Sequence, residues 1–179
     1  MFLSTLINII VAIILILAVL YLLFRLYAWQ QGNERIVMLV KRHTPFIVED
    51  ISFSQVTLTC DIPFVNKGRQ NGTIMDLYPR HLMPEEQFDG VHIESWTMDV
   101  SRPRHDGYWE SVIIPPRKGG TVRLRVIMSV KDGNIRKELM NFPDMPIDIV
   151  YQVVGRSDWH ISKNRLVLTS EELEQAMRQ

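Results

Sequence analysis

From Thr5 to Phe24 the chain reads TLINIIVAIILILAVLYLLF, with no charged side chain. As a helix these residues span roughly 30 Å, the thickness of a bilayer's hydrocarbon core. Fifteen of the twenty are Leu, Ile, Val or Phe, and each favours insertion by about 0.3–0.6 kcal/mol near the helix centre. Backbone polar groups find no water in lipid, so such a stretch must be helical there. A cleaved signal peptide is disfavoured: no Lys or Arg precedes the apolar run, and FRLYAWQQG holds no small-residue cleavage site. The expectation is a retained single-pass anchor.

The flanks set the expected orientation. No basic residue precedes the helix, whereas Arg25, Arg35, Lys41 and Arg42 follow it. The positive-inside rule then puts the C-terminal part in the cytoplasm, with an extracytoplasmic domain as the alternative. Tyr21, Tyr27 and Trp29 join these four cations as expected membrane-interface residues, because amphipathic rings favour the headgroup layer. The expected organisation is a tail over 1–4, a transmembrane helix over 5–28, a juxtamembrane segment over 29–44, a β domain over 45–168 and a short helix over 169–179. Within the juxtamembrane segment, Ile36, Val37 and Val40 have helical spacing, and Asn33 is placed to cap a helix over 34–42.

After Thr44-Pro45 the hydrophobic period becomes two. Val56, Leu58, Cys60, Ile62 and Phe64 alternate with more polar neighbours, and so do Val122, Leu124, Val126, Met128 and Val130. Cys60 thereby points inward as a small core residue. Pro63 marks an edge or a strand end. Further strands are expected over 73–78, 91–100, 108–114, 147–154 and 159–168. Asn66-Lys67-Gly68 and Asn71-Gly72 read as a chain reversal, and Lys131-Asp132-Gly133-Asn134 as a hairpin turn. Thr169 and Glu172 form a capping box for the last helix. Seven or so short strands with turns about every ten residues predict an all-β fold, an immunoglobulin-like antiparallel sandwich behind the anchor. The stretch DIPFVNKGRQNGTIMD resembles the strand–Asn-x-Gly–strand segment of bacterial sandwich modules on cell-envelope proteins, without specifying a family.

Composition excludes more than it assigns. Twenty basic and twenty acidic residues balance, so no long-range field draws the chain to nucleic acid. One cysteine rules out an internal disulfide and any cysteine-rich zinc site. The five histidines have no zinc-binding spacing, and no nucleophile elbow, P-loop or dinucleotide fingerprint is present. The sequence therefore names no catalytic residue, metal ligand or cofactor. Glu85-Glu86 reads as a solvated acidic pair. Tyr108 and Trp109 are adjacent and must face opposite ways if the chain is extended there. With His105 they are the candidate ligand or partner contacts.

The expected function is a non-enzymatic module, held at the membrane by one helix, that binds or organises another membrane or envelope protein. A small-ligand or carbohydrate binder is the first alternative, and a hydrolase with an unrecognised site the second.

Overall fold

The computed structural model describes residues 2–84, 90–104, 106–156 and 159–178. They form two compact units, residues 1–33 and 34–179. The first is a single helix, α1 (Phe2–Gln31). Its stretch Ile7–Gln31 is long and apolar enough to cross a bilayer, and the large apolar side chains from Ile7 to Trp29 are exposed. Gly32, with φ 64°, ends the helix. Its N–H closes the last turn on the Trp29 carbonyl at 3.2 Å, a reversal that glycine adopts without steric cost.

The second unit is a sandwich of two antiparallel sheets. Its strands are β1 (Ile36–Met38), β2 (Ile47–Ile51), β3 (Gln55–Asn66), β4 (Gly72–His81), β5 (His92–Asp99), β6 (Val112–Ile114), β7 (Gly119–Ser129), β8 (Met145–Val154) and β9 (His160–Leu168). The first sheet runs β1–β3–β7–β5, with β2 beside β1 along the same edge of β3. The second runs β6–β4–β8–β9. Along β3 and β7 the register pairs Cys60 with Leu124 and Leu58 with Val126. Their inward residues meet Leu77, Ile147, Ile149 and Val153 of the second sheet in one continuous core. Each fully buried Leu, Ile or Val contributes about 1.5–3 kcal/mol of transfer free energy. Cys60 lies in this core as its alternation predicts, and burial, then Asp61 and Glu172, push its thiol well above the usual range. The expected all-β sandwich is thus the observed fold.

Three local expectations are corrected. No α-helix forms over 34–42. Residues Ile36–Met38 pair with Phe64–Asn66 as a strand, and only Val40–Arg42 makes a 3-10 turn. Ile36 and Met38 bury their side chains, which a solvated helix would not do. The Asn66–Gly72 segment is not a hairpin, because β3 and β4 belong to different sheets. Nor do residues 131–134 make one. Asn134 instead caps a short helix, α2 (Ile135–Glu138), by accepting from the Arg136 amide, and the chain crosses to β8 in the other sheet. In both places the turn residues specify a local reversal, while core burial decides where the next strand docks.

Two details place the sequence punctuation. β3 is flanked on both sides, yet β1 ends opposite Phe64 and β2 starts opposite Thr59. Pro63 falls in that gap. The Asp61 amide and carbonyl are bonded there by Thr44, and the Pro63 carbonyl accepts from Leu39 at 2.8 Å. The missing proline donor therefore faces the one stretch of edge that needs none. After β9, Thr169 and Glu172 form the expected capping box of α3 (Ser170–Met177).

Candidate functional site

Of the sequence-derived contact residues, Tyr108 and Trp109 part company. Tyr108 is 64% exposed and Trp109 3%. The Trp109 indole donates to the Ile74 carbonyl at 3.4 Å and belongs to the core. The Arg104 guanidinium lies 5.3 Å from the centre of the Tyr108 ring and covers one face of it. Arg104 also binds Asp106, with Nη2 2.6 Å from the carboxylate. That bond, helped by the Tyr108 amide, holds the Asp106 carboxyl at about 2. Between this loop and β5 the described residues enclose only about 10 Å³, room for no more than about one water. His105 and the Glu85-Glu86 pair lie outside the described residues. Among those described, no group of three His, Cys, Asp or Glu side chains is placed to hold a metal ion.

A larger concavity lies where the sequence singles out nothing. After α2 the chain makes a 3-10 turn, Leu139–Asn141, and this corner faces α3 across a groove of about 460 Å³. That is within the roughly 300–1,000 Å³ of ordinary small-molecule clefts. Leu139, Met140, Leu173 and Met177 give it an apolar lining, and Arg136, Lys137, Glu174 and Arg178 its charges. Leu139 and Leu173 are buried, whereas Met140 is 67% exposed. Arg136 donates to the Met177 carbonyl at 2.9 Å, placing a cation at the negative end of α3. Arg178 pairs with Glu174 at 3.2 Å. The sum of these rim charges is positive. A second hollow, lined by Val48, Asp50 and Ile51 of β2, shares Arg136 and Met177 with the groove. The spacing of Leu173, Ala176 and Met177 on α3 is the one sequence signal that could have found it. Another hollow, of about 720 Å³, is lined by Arg80, His81, Met83, Pro84 and Ile93.

The expected interface residues divide between the units. Tyr21, Arg25, Tyr27 and Trp29 lie on the last turns of α1 and are exposed. Arg35 is the second residue of the sandwich unit. Lys41 and Arg42 stand on the 3-10 turn beside the middle of β3, where Leu39 and Thr44 bond Pro63 and Asp61. Thus Arg35 and the Lys41–Arg42 pair occupy different parts of the sandwich edge.

The fold and groove define an antiparallel β-sandwich domain that follows an apolar helix. Among solved structures, the GAE domain of GGA2p from Saccharomyces cerevisiae is similar at 11% identity and TM-score 0.37, covering 76% of this chain and 98% of that one. The GAE domain of yeast GGA1 is similar at 10% identity and TM-score 0.35, covering 69% and 87%. A protein from Archaeoglobus fulgidus is similar at 11% identity and TM-score 0.30, covering 76% and 96%. No protein-family model and no curated protein matches the chain.

Proposed function

We propose that this chain is a single-pass membrane protein whose cytoplasmic sandwich is a non-enzymatic interaction module. The groove between the Leu139–Asn141 turn and α3 takes a short segment of another membrane protein that carries apolar anchors and a carboxylate. The observation that carries this reading is an apolar cleft of about 460 Å³ whose rim sums to positive charge. Apolar side chains would fill the space beside Met140 and Met177. A carboxylate would meet Lys137 and Arg136, gaining on-rate and register more than raw affinity. Tethering of both proteins to one membrane raises their effective concentration, so a weak contact suffices.

The test uses the full chain in native membranes, with a photo-crosslinking residue at Met140. One membrane protein should be captured, and its recovery should fall at least tenfold in Lys137→Glu while Tyr108→Ala leaves it unchanged. Adducts should map to an acidic apolar segment. Unchanged capture in Lys137→Glu, or adducts only with a second copy of this chain, would refute the assignment. Sidedness is read from Lys131→Cys, at an exposed position. An impermeant thiol reagent should label it only after permeabilisation.

A further inference from the structure

One end of the sandwich gathers cations from three segments that are distant in sequence, and Asn66 holds them together. This side chain is fully buried. Its Oδ1 accepts from the amides of Arg35 at 3.0 Å and Gly68 at 2.9 Å. Its Nδ2 donates to the carbonyls of Gln70 at 2.8 Å and Ile114 at 3.0 Å. Its backbone bonds both Arg117 and Lys118, each at 2.8 Å, and Lys67 donates to the Arg35 carbonyl at 2.7 Å. Arg35, Lys67, Arg117 and Lys118 are exposed. Among the described residues, none of the four has a carboxylate within salt-bridge distance. Arg69 and Arg156 lie on the adjoining loops and are exposed too.

Among the described residues, the acidic groups at this end are fewer than its cations. Glu34 is buried, with its carboxylate against Gly155. Asp99 accepts from the Ser101 amide and hydroxyl. In the neighbouring long loop Asp106 and Glu110 are matched by Arg102 and Arg104. Arg117 adds a second observation. It is the one non-glycine residue with positive φ among those described, at 58°. A cation stands where glycine or asparagine would sit with less strain. Such strain is characteristic of functional positions.

Only Gly32 and Asn33 separate α1 from the sandwich unit, and a tether from residue 31 to 35 reaches at most roughly 14 Å. Resting on the reading of α1 as a membrane anchor, we infer that Arg35, Lys67, Arg117 and Lys118 form a platform that binds anionic lipid headgroups of the bilayer α1 crosses. The phosphates supply the counter-charge that the fold withholds. The sandwich is thereby held end-on to the membrane, leaving α2 and α3, at the opposite ends of the strands, available to partners.

The full chain is reconstituted in phosphatidylcholine vesicles with or without phosphatidylglycerol. A fluorophore is placed on Asn71→Cys, at the platform, or on Lys131→Cys, at the other end, with a quencher attached to the lipid headgroups. Quenching at position 71 should rise with phosphatidylglycerol and fall at high salt, and position 131 should respond to neither. Each cation contributes about fivefold to partitioning at low salt, so Arg35→Gln, Lys67→Gln, Arg117→Asn and Lys118→Gln together should abolish the lipid dependence. Quenching that is independent of lipid charge and salt in the unaltered chain would overturn the platform, as would full lipid dependence in the fourfold variant. Resistance to alkaline carbonate extraction is measured on the same vesicles. Release of the chain would sink the anchor reading, whereas retention with lipid-independent quenching would sink the platform alone.

Discussion

Glu34 lies with its carboxylate directly against the backbone of Gly155, so that a Cβ on residue 155 would occupy the same space. The two residues are far apart in sequence, and their packing fastens the first residue of the sandwich unit to the β8–β9 connection. Glu34 Oε2 is buried and finds no hydrogen-bond partner among the described residues. Gly155→Ala should therefore destabilise the domain by about 1–3 kcal/mol through overpacking. The same substitution should cost little in a Glu34→Ala background. A double-mutant cycle in urea checks this, and additive losses would show that the glycine is needed for another reason.

Leu124 and Arg123 are neighbours on β7 that face opposite ways. Leu124 is fully buried, and Leu124→Ala should cost about 2–5 kcal/mol. Arg123 reaches Asp61 across the ladder with two bonds, at 2.7 and 2.9 Å. It is half exposed, so Arg123→Ala should cost about 0.5–1 kcal/mol. Arg123→Asp should cost more, by setting two carboxylates face to face, and Asp61→Arg in the same chain should restore most of the loss. Thermal melts of the four variants check the order.

Asp148 is 5% exposed and lies beneath Arg165, at 2.8 Å, and Lys163, at 3.3 Å. The Arg165 hydrogen bond, then that of Lys163, hold its carboxyl below the usual carboxylate range. A depressed folded-state pKa means the stabilisation is complete above the unfolded value near 3.9. It is lost as pH falls through the lower folded value. Asp148→Asn should therefore be less stable by about 1 kcal/mol at neutral pH, its partners being largely exposed. The gap should close as the pH falls through that lowered folded value. Urea titrations at several pH values check the convergence.

The position of β1 makes a further prediction. A chain beginning at Thr44 lacks Ile36 and Met38, both in the core. Losing two buried apolar side chains should cost several kcal/mol. A chain beginning at Glu34 keeps them and should unfold in one cooperative transition without detergent. Equal stability of the two truncations would mean that β1 contributes nothing.

That strand also marks where the sequence became unreadable. β3 and β7 were legible because ten alternating residues leave only one buried face. The capping box was legible because Thr169 and Glu172 act on their own backbone. β1 has three residues, too few to display a period, and the Ile36–Val37–Val40 spacing fits a helix equally well. Its fate is decided by the free edge of β3, which is tertiary information. The same holds for Lys131–Asn134, whose turn chemistry is real but whose following strand joins the other sheet. The Tyr108–Trp109 pair was half legible. The strand expected over 108–114 would have separated one ring from the other without saying which is inside, but it begins only at Val112, so the two rings are parted by an irregular segment. The groove beside α3 left only the faint Leu173–Ala176–Met177 pattern, because it is made by two short helical pieces meeting across the β8–β9 hairpin.

The β3–β7 ladder joins segments some fifty or more residues apart. During synthesis β3 leaves the ribosome several seconds before its partner exists, at about 5–20 residues per second. For that interval its apolar face and its hydrogen-bonding edge toward β7 are open, and both are aggregation hazards. β2 can fold back on β3 early as a local hairpin and shield one side. The nascent chain thus has a window of vulnerability that closes only when β7 arrives.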